Sequence, residues 1–290
     1  MAIAIFVIPD KDSDRHSEIK NTADIKVKIP SKCFVLKYND NKKIEDKSTL
    51  TNFLCSINSK LGGESWIISP EHLKKSVGDL NGICVMGLDV AHGDTRKNKK
   101  SVVALVASYN TNFTHYIPSI SYQEPGQEIV KENLKKMIID VLNKYKIENG
   151  KLPSQIIFYR DGVGEGMYEI VGNKEIAQLE ETCKEIYNKE LLTSPKITFI
   201  IAQKRTHFRS FLQDNSGTVY NPYSGTMISK MVVDKGKPNF YLFSHDSTAG
   251  TSKPTHYVIL RNDTGRTIEQ LGNFTYCLSF LHQGNVKIYL

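Results

Sequence analysis

The chain has 290 residues, of which 40% are hydrophobic and 24% charged, and its formal net charge is +7. This length and composition are typical of a globular protein with one large domain or two smaller ones. No apolar run reaches the roughly 18 residues that a membrane span needs, so no membrane partner is expected. The excess of Lys and Arg is a modest indication of a polyanionic partner.

The five cysteines are scattered along the chain and include no CxxC pair. Their odd number and irregular spacing argue against a disulfide framework and against a zinc ribbon. We therefore expect a reducing, intracellular compartment, which the sequence does not resolve into cytoplasm or nucleus. The segment 2–8 has the composition of a core strand rather than of a signal peptide, which predicts that the sequence begins inside a larger fold.

The first 65 residues or so predict half of a small α/β domain. The apolar segments 2–8 and 33–38 are expected to be strands, with a short helix around 17–21. The segment 50–61 has apolar residues at helical spacing, and the segment 66–80 is predicted to be a connection.

Three consecutive strands are predicted next, at 83–90, 101–109 and 115–122, joined by short turns such as the basic segment 94–100. Short connections between consecutive strands favour an antiparallel meander. The pattern over 128–145 predicts an amphipathic helix.

The segment 155–167 (QIIFYRDGVGEGM) is the centre of the remaining pattern. It predicts a buried strand at 155–161, with three glycines after it and a long helix over 168–191. The further elements expected are strands at 197–202, 240–243, 256–260 and 286–290, and a helix at 266–282. Together these elements predict an α/β fold whose mixed sheet is flanked by helices.

Asp89 and Asp161 lie at the ends of two of the predicted buried strands. If those strands are adjacent, the two carboxylates meet at one end of the sheet, where ligands of α/β sheets gather. This is the plan of a ribonuclease H-like fold, in which clustered acids hold divalent ions. The alternative is that Asp161 merely caps the helix that follows.

The segments GLDVAHGDTRKNKKS, FYRDGVGEGM, QKRTHFR and GTSKPTHYVIL together resemble the PIWI domain of Argonaute-family proteins. SINSKLGGESW resembles the junction between the MID and PIWI domains, and KIPSKCF and KLGGESW are closer to the Piwi clade. The resemblance covers residues 3–290. It implies part of a small α/β MID domain at 1–65 and a ribonuclease H-like PIWI domain at 66–290 that is truncated at its C-terminus.

The resemblance also implies a site for two Mg²⁺ ions, with Mn²⁺ as a substitute. Asp89, Glu128 and Asp161 match three catalytic, metal-holding positions, with Glu128 expected at the start of a helix. A helix-terminal Glu favoured by the macrodipole is the simpler alternative for Glu128, and Glu124 is a rival for the role.

The fourth ligand of the family, a His or Asp, is expected beyond Leu290, so the metal set is predicted to be incomplete in this sequence. His256 and His282 match other positions of the family pattern and are not assigned as ligands. His92 lies close to Asp89 in sequence, but an ordinary loop histidine is the simpler interpretation.

Two sets of basic residues match guide-binding positions of the family. Lys20, Lys32 and Lys60 match a pocket for the guide's 5′ phosphate, with His16 in the place of a residue that stacks on the first base. Ser56 takes a place that often carries Lys or Gln, which weakens this pocket. Contacts to the guide backbone are implied for Lys204, Arg205, His207, Arg209 and Lys253. Each of these side chains could otherwise be an ordinary surface charge.

The expected function is therefore small-RNA-guided RNA binding for gene silencing, of the piRNA type, with two-metal cleavage of the paired target. The expected partners are a small guide RNA, a complementary target RNA and silencing cofactors. A catalytically inactive, guide-dependent recruitment module is one alternative, because the fourth ligand is missing. A guide-independent ribonuclease H-like nuclease is another.

Overall fold

The structure is a computed structural model that describes residues 2–36, 46–93, 99–130, 133–230, 233, 236–247 and 250–284. Most of the predicted turn at 94–100, the end of the predicted strand 33–38 and the predicted strand 286–290 lie outside these residues. The chain divides into two compact units. The first comprises Met1–Ile68 with Ser279–Leu290, and the second comprises Ser69–Leu278.

The first unit is built on a parallel strand pair with a helix between the strands. Strand β1 (Ala4–Ile8) pairs with β2 (Ser31–Val35), and helix α1 (Ser13–Lys20) continues into a π-helical turn, Asn21–Lys26. Helix α2 (Lys47–Lys60) follows. The helix predicted around 17–21 begins earlier because Asp12 caps it, accepting a hydrogen bond of 2.7 Å from the Arg15 amide.

Residues from the end of the chain complete the first unit. The Gln283 side chain accepts a hydrogen bond from the Ser65 amide at 2.7 Å and donates one to the Trp66 carbonyl at 2.9 Å. The Trp66 indole donates to the Phe280 carbonyl at 2.6 Å. These contacts join two segments that lie far apart in the sequence.

The second unit is organised around one sheet of eight strands. In chain order they are β3 (Ile83–Ala91), β4 (Ser101–Ser108), β5 (Tyr116–Gln123), β6 (Gln155–Asp161), β7 (Lys196–Gln203), β10 (Thr226–Ile228), β11 (Asn239–Phe243) and β12 (Thr255–Asn262), with a separate hairpin of β8 (Leu212–Gln213) and β9 (Val219–Tyr220). Their spatial order is β10-β11-β12-β7-β6-β3-β4-β5. The mixed sheet and the antiparallel β3–β4–β5 meander predicted from the sequence are confirmed.

Helices pack on both faces of this sheet. They are α3 (Pro70–Val77), α4 (Leu134–Asn149), α5 (Tyr168–Val171), which runs through a π-helical turn, Gly172–Ile176, into α6 (Ala177–Lys189), and α7 (Ile268–Ser279). Phe158 belongs to the core under α4 and α6 and stacks on Phe199, with ring centroids 4.7 Å apart. Tyr159 points to the opposite face, where its hydroxyl lies 2.8 Å from that of Thr275 in α7.

Three helix predictions need correction. The segment 66–80 is not a plain connection, because it contains α3, whose first turn carries Pro70. The helix predicted over 128–145 begins only at Leu134, so Glu128 lies in the loop before it. The helix predicted over 266–282 is shorter than expected, and ends at Ser279. In the described ranges no helix combines the length and the apolar character that a bilayer crossing requires.

The strand register fixes where the acids lie. Strands β3 and β6 are adjacent and parallel, with Leu88 opposite Arg160. Strand β7 continues the parallel set, with Asp161 opposite Ala202. Asp89, Asp161 and the residues after β7 therefore meet at the same edge of the sheet, as expected for carboxyl ends of parallel strands.

Candidate functional site

A cavity of about 410 Å³ lies at this edge of the sheet. Its wall includes the three acids singled out in the sequence, two of the predicted guide-backbone residues and one histidine: Asp89, Glu128, Asp161, Lys204, Arg205 and His92. Glu124, the rival of Glu128, is not among the lining residues. The structure thus brings carboxylates and cations of distant sequence segments to one concave surface.

Glu128 is held in this cavity by Arg160. One guanidinium nitrogen of Arg160 lies 2.9 Å from Glu128 Oε1, and another donates to the Glu128 carbonyl at 2.6 Å. His92 Nε2 lies 2.7 Å from Glu128 Oε2. Glu128 was expected at a helix start, where the helix dipole would stabilise it, but here a buried cation and a histidine take that role.

Arg160 is itself fully buried, and Glu175 compensates its charge. Arg160 Nε donates to Glu175 Oε2 at 3.0 Å, and both side chains have no exposed surface. Burial alone would lower the pKa of Arg160, but Glu175 and then Glu128 raise it above its ordinary value. Glu175 also accepts from the Val130 amide at 3.0 Å, so it fixes the loop that carries Glu128.

Two local backbone features support this arrangement. Glu175 lies in the π-helical turn, a local irregularity that is frequent at functional sites. Gly162 has a φ of +86°, and a Cβ there would lie 3.3 Å from Glu128 Oε1. A side chain at position 162 would be strained and would crowd Glu128.

Asp161 forms an ion pair with Lys204, whose ammonium lies 2.8 Å from Asp161 Oδ2. Lys204 is 53% exposed and Asp161 26% exposed. The preceding Gln203 donates to the Val163 carbonyl at 2.9 Å, which ties the end of β7 to the glycine-rich loop. Asp89, by contrast, is exposed and accepts a bond from the Val90 amide at 2.8 Å, and none of the described ion pairs includes it.

The donor set suits a hard divalent cation, because carboxylate oxygens are the ligands that Mg²⁺ prefers. In the part of the chain that the structure describes, no group of three or more His, Cys, Asp or Glu side chains is close enough to hold a metal ion. Two of the acids are paired with cations of the protein: Glu128 with Arg160, and Asp161 with Lys204.

His256 is a structural residue that contacts the cavity-lining Gln203. Its ring nitrogens are each 3.0 Å from a side-chain oxygen, of Gln203 and of Asn239, and it is buried. His282 is exposed in the first unit. Neither histidine is among the residues that line the cavity.

The predicted 5′-phosphate residues gather in the first unit. Lys20 donates to the Ser31 hydroxyl at 2.8 Å and pairs with Asp24 at 3.2 Å. Lys32 donates to the Ser56 hydroxyl at 2.8 Å. Burial, and then the nearby charges of Lys60 and Lys20, lower the pKa of Lys32.

Lys20 and Lys60 are thus close enough to Lys32 to act on its charge, and a phosphate site needs several such cations in one region. His16 is exposed on α1, one helical turn before Lys20. We call Lys20, Lys32 and Lys60 the lysine cluster.

The predicted guide-backbone residues fall into different environments. Lys204 and Arg205 line the cavity, and His207 and Lys253 are exposed. Arg209 instead donates to the carbonyls of Thr206 and Phe208, at 2.8 and 2.6 Å. Arg209 therefore stabilises the loop itself.

Sequence reasoning missed Arg160 and Glu175 and gave His92 too little weight. A charged residue inside an apolar strand, as in IIFYR, was the available signal for Arg160, because a buried charge needs a partner. No local pattern identified Glu175. His92, expected to be an ordinary loop histidine, contacts Glu128 and lines the cavity.

Comparison with known proteins connects this geometry to a family. Residues 3–288 match the model of the Piwi domain. The chain is 33% identical over 291 residues to Piwi-like protein Ago3 of Bombyx mori, covering 99% of the chain and 30% of that relative. The chain thus spans about 30% of the length of this curated relative.

Two solved structures have the same fold. The Kluyveromyces polysporus Argonaute with a guide RNA matches at a TM-score of 0.85 and 24% identity, over 99% of this chain and 35% of that one. Drosophila Piwi matches at a TM-score of 0.81 and 26% identity, over 99% of this chain and 37% of that one. The mixed sheet is thus of the ribonuclease H-like type, as predicted, and the chain belongs to the Piwi domain family.

Proposed function

We propose that this chain holds a small guide RNA, presents it for pairing with a complementary target RNA in gene silencing, and carries the site that cleaves the target. The observation that carries the proposal is the cavity, where three carboxylates lie beside Lys204 and Arg205. Carboxylates suit cation-assisted phosphodiester chemistry, and the adjacent cations suit the nucleic-acid backbone.

The lysine cluster is the proposed binding site for the guide's 5′ phosphate. After burial, the charges of Lys60 and Lys20 lower the pKa of Lys32, and a phosphate dianion would offset this repulsion through several charge-assisted hydrogen bonds. His16, exposed beside Lys20 on α1, would stack on the first base. In this proposal residues 1–65 act as part of a MID domain and residues 66–290 as the PIWI domain.

Asp89, Glu128 and Asp161 are the proposed holders of Mg²⁺. When bound, the ions would supply an activated water and stabilise the leaving oxygen. Arg160 and His92 orient the Glu128 carboxylate, and Gly162 leaves it the space it needs. Arg205, His207 and Lys253 would position the backbone without reading its sequence.

The test is the affinity of the chain for RNA with a 5′ phosphate and for the same RNA with a 5′ hydroxyl. We expect the phosphate to increase affinity roughly tenfold or more, since hydrogen bonds between charged groups contribute about 1.5–3 kcal/mol. The Lys20→Met/Lys60→Met variant should lose this preference, whereas the exposed Lys26→Met control should keep it. Equal affinity for the two RNAs in the unmodified chain would disprove guide 5′-end binding.

A guide-dependent module that does not cleave is the second candidate. The contacts that favour it are the pairs of Glu128 with Arg160 and of Asp161 with Lys204, which engage two of the three acids. Cleavage of a paired target in Mg²⁺, abolished by Asp89→Asn, would eliminate this candidate. Target binding without Mg²⁺-dependent cleavage would favour it.

A further inference from the structure

The ion pair between Lys204 and Asp161 has a consequence for how RNA and cations bind. Lys204 belongs by sequence to the basic segment after β7, yet its ammonium lies 2.8 Å from Asp161 Oδ2. Strand register creates this contact, because Asp161 pairs with Ala202 and Lys204 follows only two residues later. A proposed backbone-binding residue and a proposed metal-holding residue are therefore direct partners.

We propose that Lys204 is an exchangeable counter-ion of Asp161 that couples RNA binding to the binding of a divalent cation. It neutralises Asp161 when the cavity holds no divalent cation, and it moves to a backbone phosphate when RNA is bound, which frees Asp161 for the cation. The part of this inference that concerns RNA rests on the proposed function. The contact with Asp161 stands on the geometry of the second unit alone.

The surroundings of the pair make an exchange feasible. Lys204 lines the cavity, and its side chain is 53% exposed. Such half-exposed pairs contribute little to stability, so breaking this one requires little free energy. The backbone below it is fixed, because Gln203 is bonded both to Val163 and to His256. The side chain can thus change partner while the strand end stays in place.

Neighbouring residues do not offer the same exchange. Arg160 is buried and held by Glu175 and Glu128. Arg209 is bonded to the carbonyls of its own loop. Arg205 lines the cavity, and no described ion pair joins it to Asp161. Arg205 is therefore a matched charge control for Lys204.

Coupling of this kind must be reciprocal. If RNA removes Lys204 from Asp161 and so tightens cation binding, the cation must tighten RNA binding by the same factor. In Lys204→Met, the part of this coupling factor that depends on the contact between Lys204 and Asp161 disappears. Attraction between RNA phosphates and the cation remains in both proteins, so the difference between them measures the role of Lys204.

The experiment is titration of the full chain with Mn²⁺, followed by paramagnetic relaxation of water, with and without a 5′-phosphorylated RNA. Without RNA, we expect Lys204→Met to bind Mn²⁺ about threefold to fivefold more tightly than the unmodified chain, the scale of an exposed ion pair. The Mn²⁺ affinity of Arg205→Met should differ from that of the unmodified chain by clearly less than this. With RNA, the advantage of Lys204→Met should shrink, because RNA has already displaced Lys204 in the unmodified chain.

Several results would overturn the proposal. Without RNA, these results are equal Mn²⁺ affinities of the unmodified chain and Lys204→Met, or a gain in Mn²⁺ affinity in Arg205→Met as large as that in Lys204→Met. With RNA, the result is an affinity advantage of Lys204→Met that stays unchanged. The absence of Mn²⁺ binding by all of these proteins would also overturn it. Failure to bind RNA is a separate outcome. It would disprove the proposed function and the exchange with phosphate, whereas a Mn²⁺ difference without RNA would still establish Lys204 as the counter-ion of Asp161.

Discussion

The lysine cluster of the first unit and the acidic cavity of the second differ in how far the protein itself compensates their charges. The cluster gathers like charges, and the described contacts of Lys20 and Lys32 include one acid, Asp24. In the cavity, Glu128 and Asp161 each have a cation of the protein against them. The cluster is thus prepared to receive an anion directly, whereas the cavity must exchange a partner before a cation can bind at Asp161.

The largest effect is expected at the charge network behind the cavity. Arg160→Met leaves the fully buried Glu175 without its cation, so we expect the free energy of unfolding to fall by about 3–5 kcal/mol. Urea denaturation followed by circular dichroism measures this loss. Loss of the cation beside the cavity acids alone would not lower the free energy of unfolding this much, because those acids are partly exposed.

The control for this prediction is the Arg160→Met/Glu175→Gln double variant. Removing the second charge should recover part of the lost stability, because no uncompensated carboxylate then remains buried. A loss of less than about 1 kcal/mol in the single variant would mean that Arg160 is not the main partner of Glu175.

Replacing a member of the lysine cluster should separate stability from RNA binding. Because burial and the two other lysines lower the pKa of Lys32, its charged form is disfavoured in the folded chain. Lys32→Met should therefore raise the unfolding free energy by a few tenths of a kcal/mol, as expected for a partly screened group, while weakening the preference for a 5′ phosphate. Thermal unfolding and RNA titration measure the two effects.

The same lowered pKa predicts a pH dependence. Lys32 is charged below its pKa, so phosphate binding should weaken as the pH rises through it, at a lower pH than for an ordinary lysine. The destabilising effect of Lys32 is complete below this lowered pKa and should fade as the pH rises from it to the ordinary lysine pKa, since the neutral side chain carries no repulsion. A pH profile of 5′-phosphate preference that is identical in Lys32→Met and the unmodified chain would argue against this role.

The smallest effect is expected at Lys253, which is exposed beside β12. If it contacts one backbone phosphate, Lys253→Met should reduce the slope of log affinity against log salt by about 0.7 and leave the 5′-phosphate preference intact. Lys189→Met, at the exposed end of α6, should leave the slope unchanged. A slope that is the same in all three proteins removes Lys253 from the interface.

Much of the fold could be predicted because strands and amphipathic helices have local periodicity. The segments around Asp89 and Asp161 were identified as strands with acids at their ends, and their adjacency follows from the meander and a single helical crossover. Glu128 was misplaced because Ile129 and Val130 extend the apolar pattern of α4 upstream, although they are buried in a loop. A local pattern does not distinguish a buried loop from a helical turn.

The partners of the site residues could not be predicted in the same way. The contacts Arg160–Glu175 and Lys204–Asp161 depend on strand register and on the π-helical turn, which bring distant positions together. Neither a charge pattern nor a spacing in the sequence specifies these pairs. The type of residue at the site was therefore predictable, whereas the compensation of its charges was not.

The central claim is that a bound guide selects the RNA that this chain binds. The most direct measurement compares the affinity of the chain, loaded with a 5′-phosphorylated guide, for a complementary target and for a target of the same composition in scrambled order. We predict that the complementary target binds at least roughly tenfold more tightly, because base pairing adds free energy that backbone contacts do not supply. Equal affinity for the two targets would contradict guided recognition.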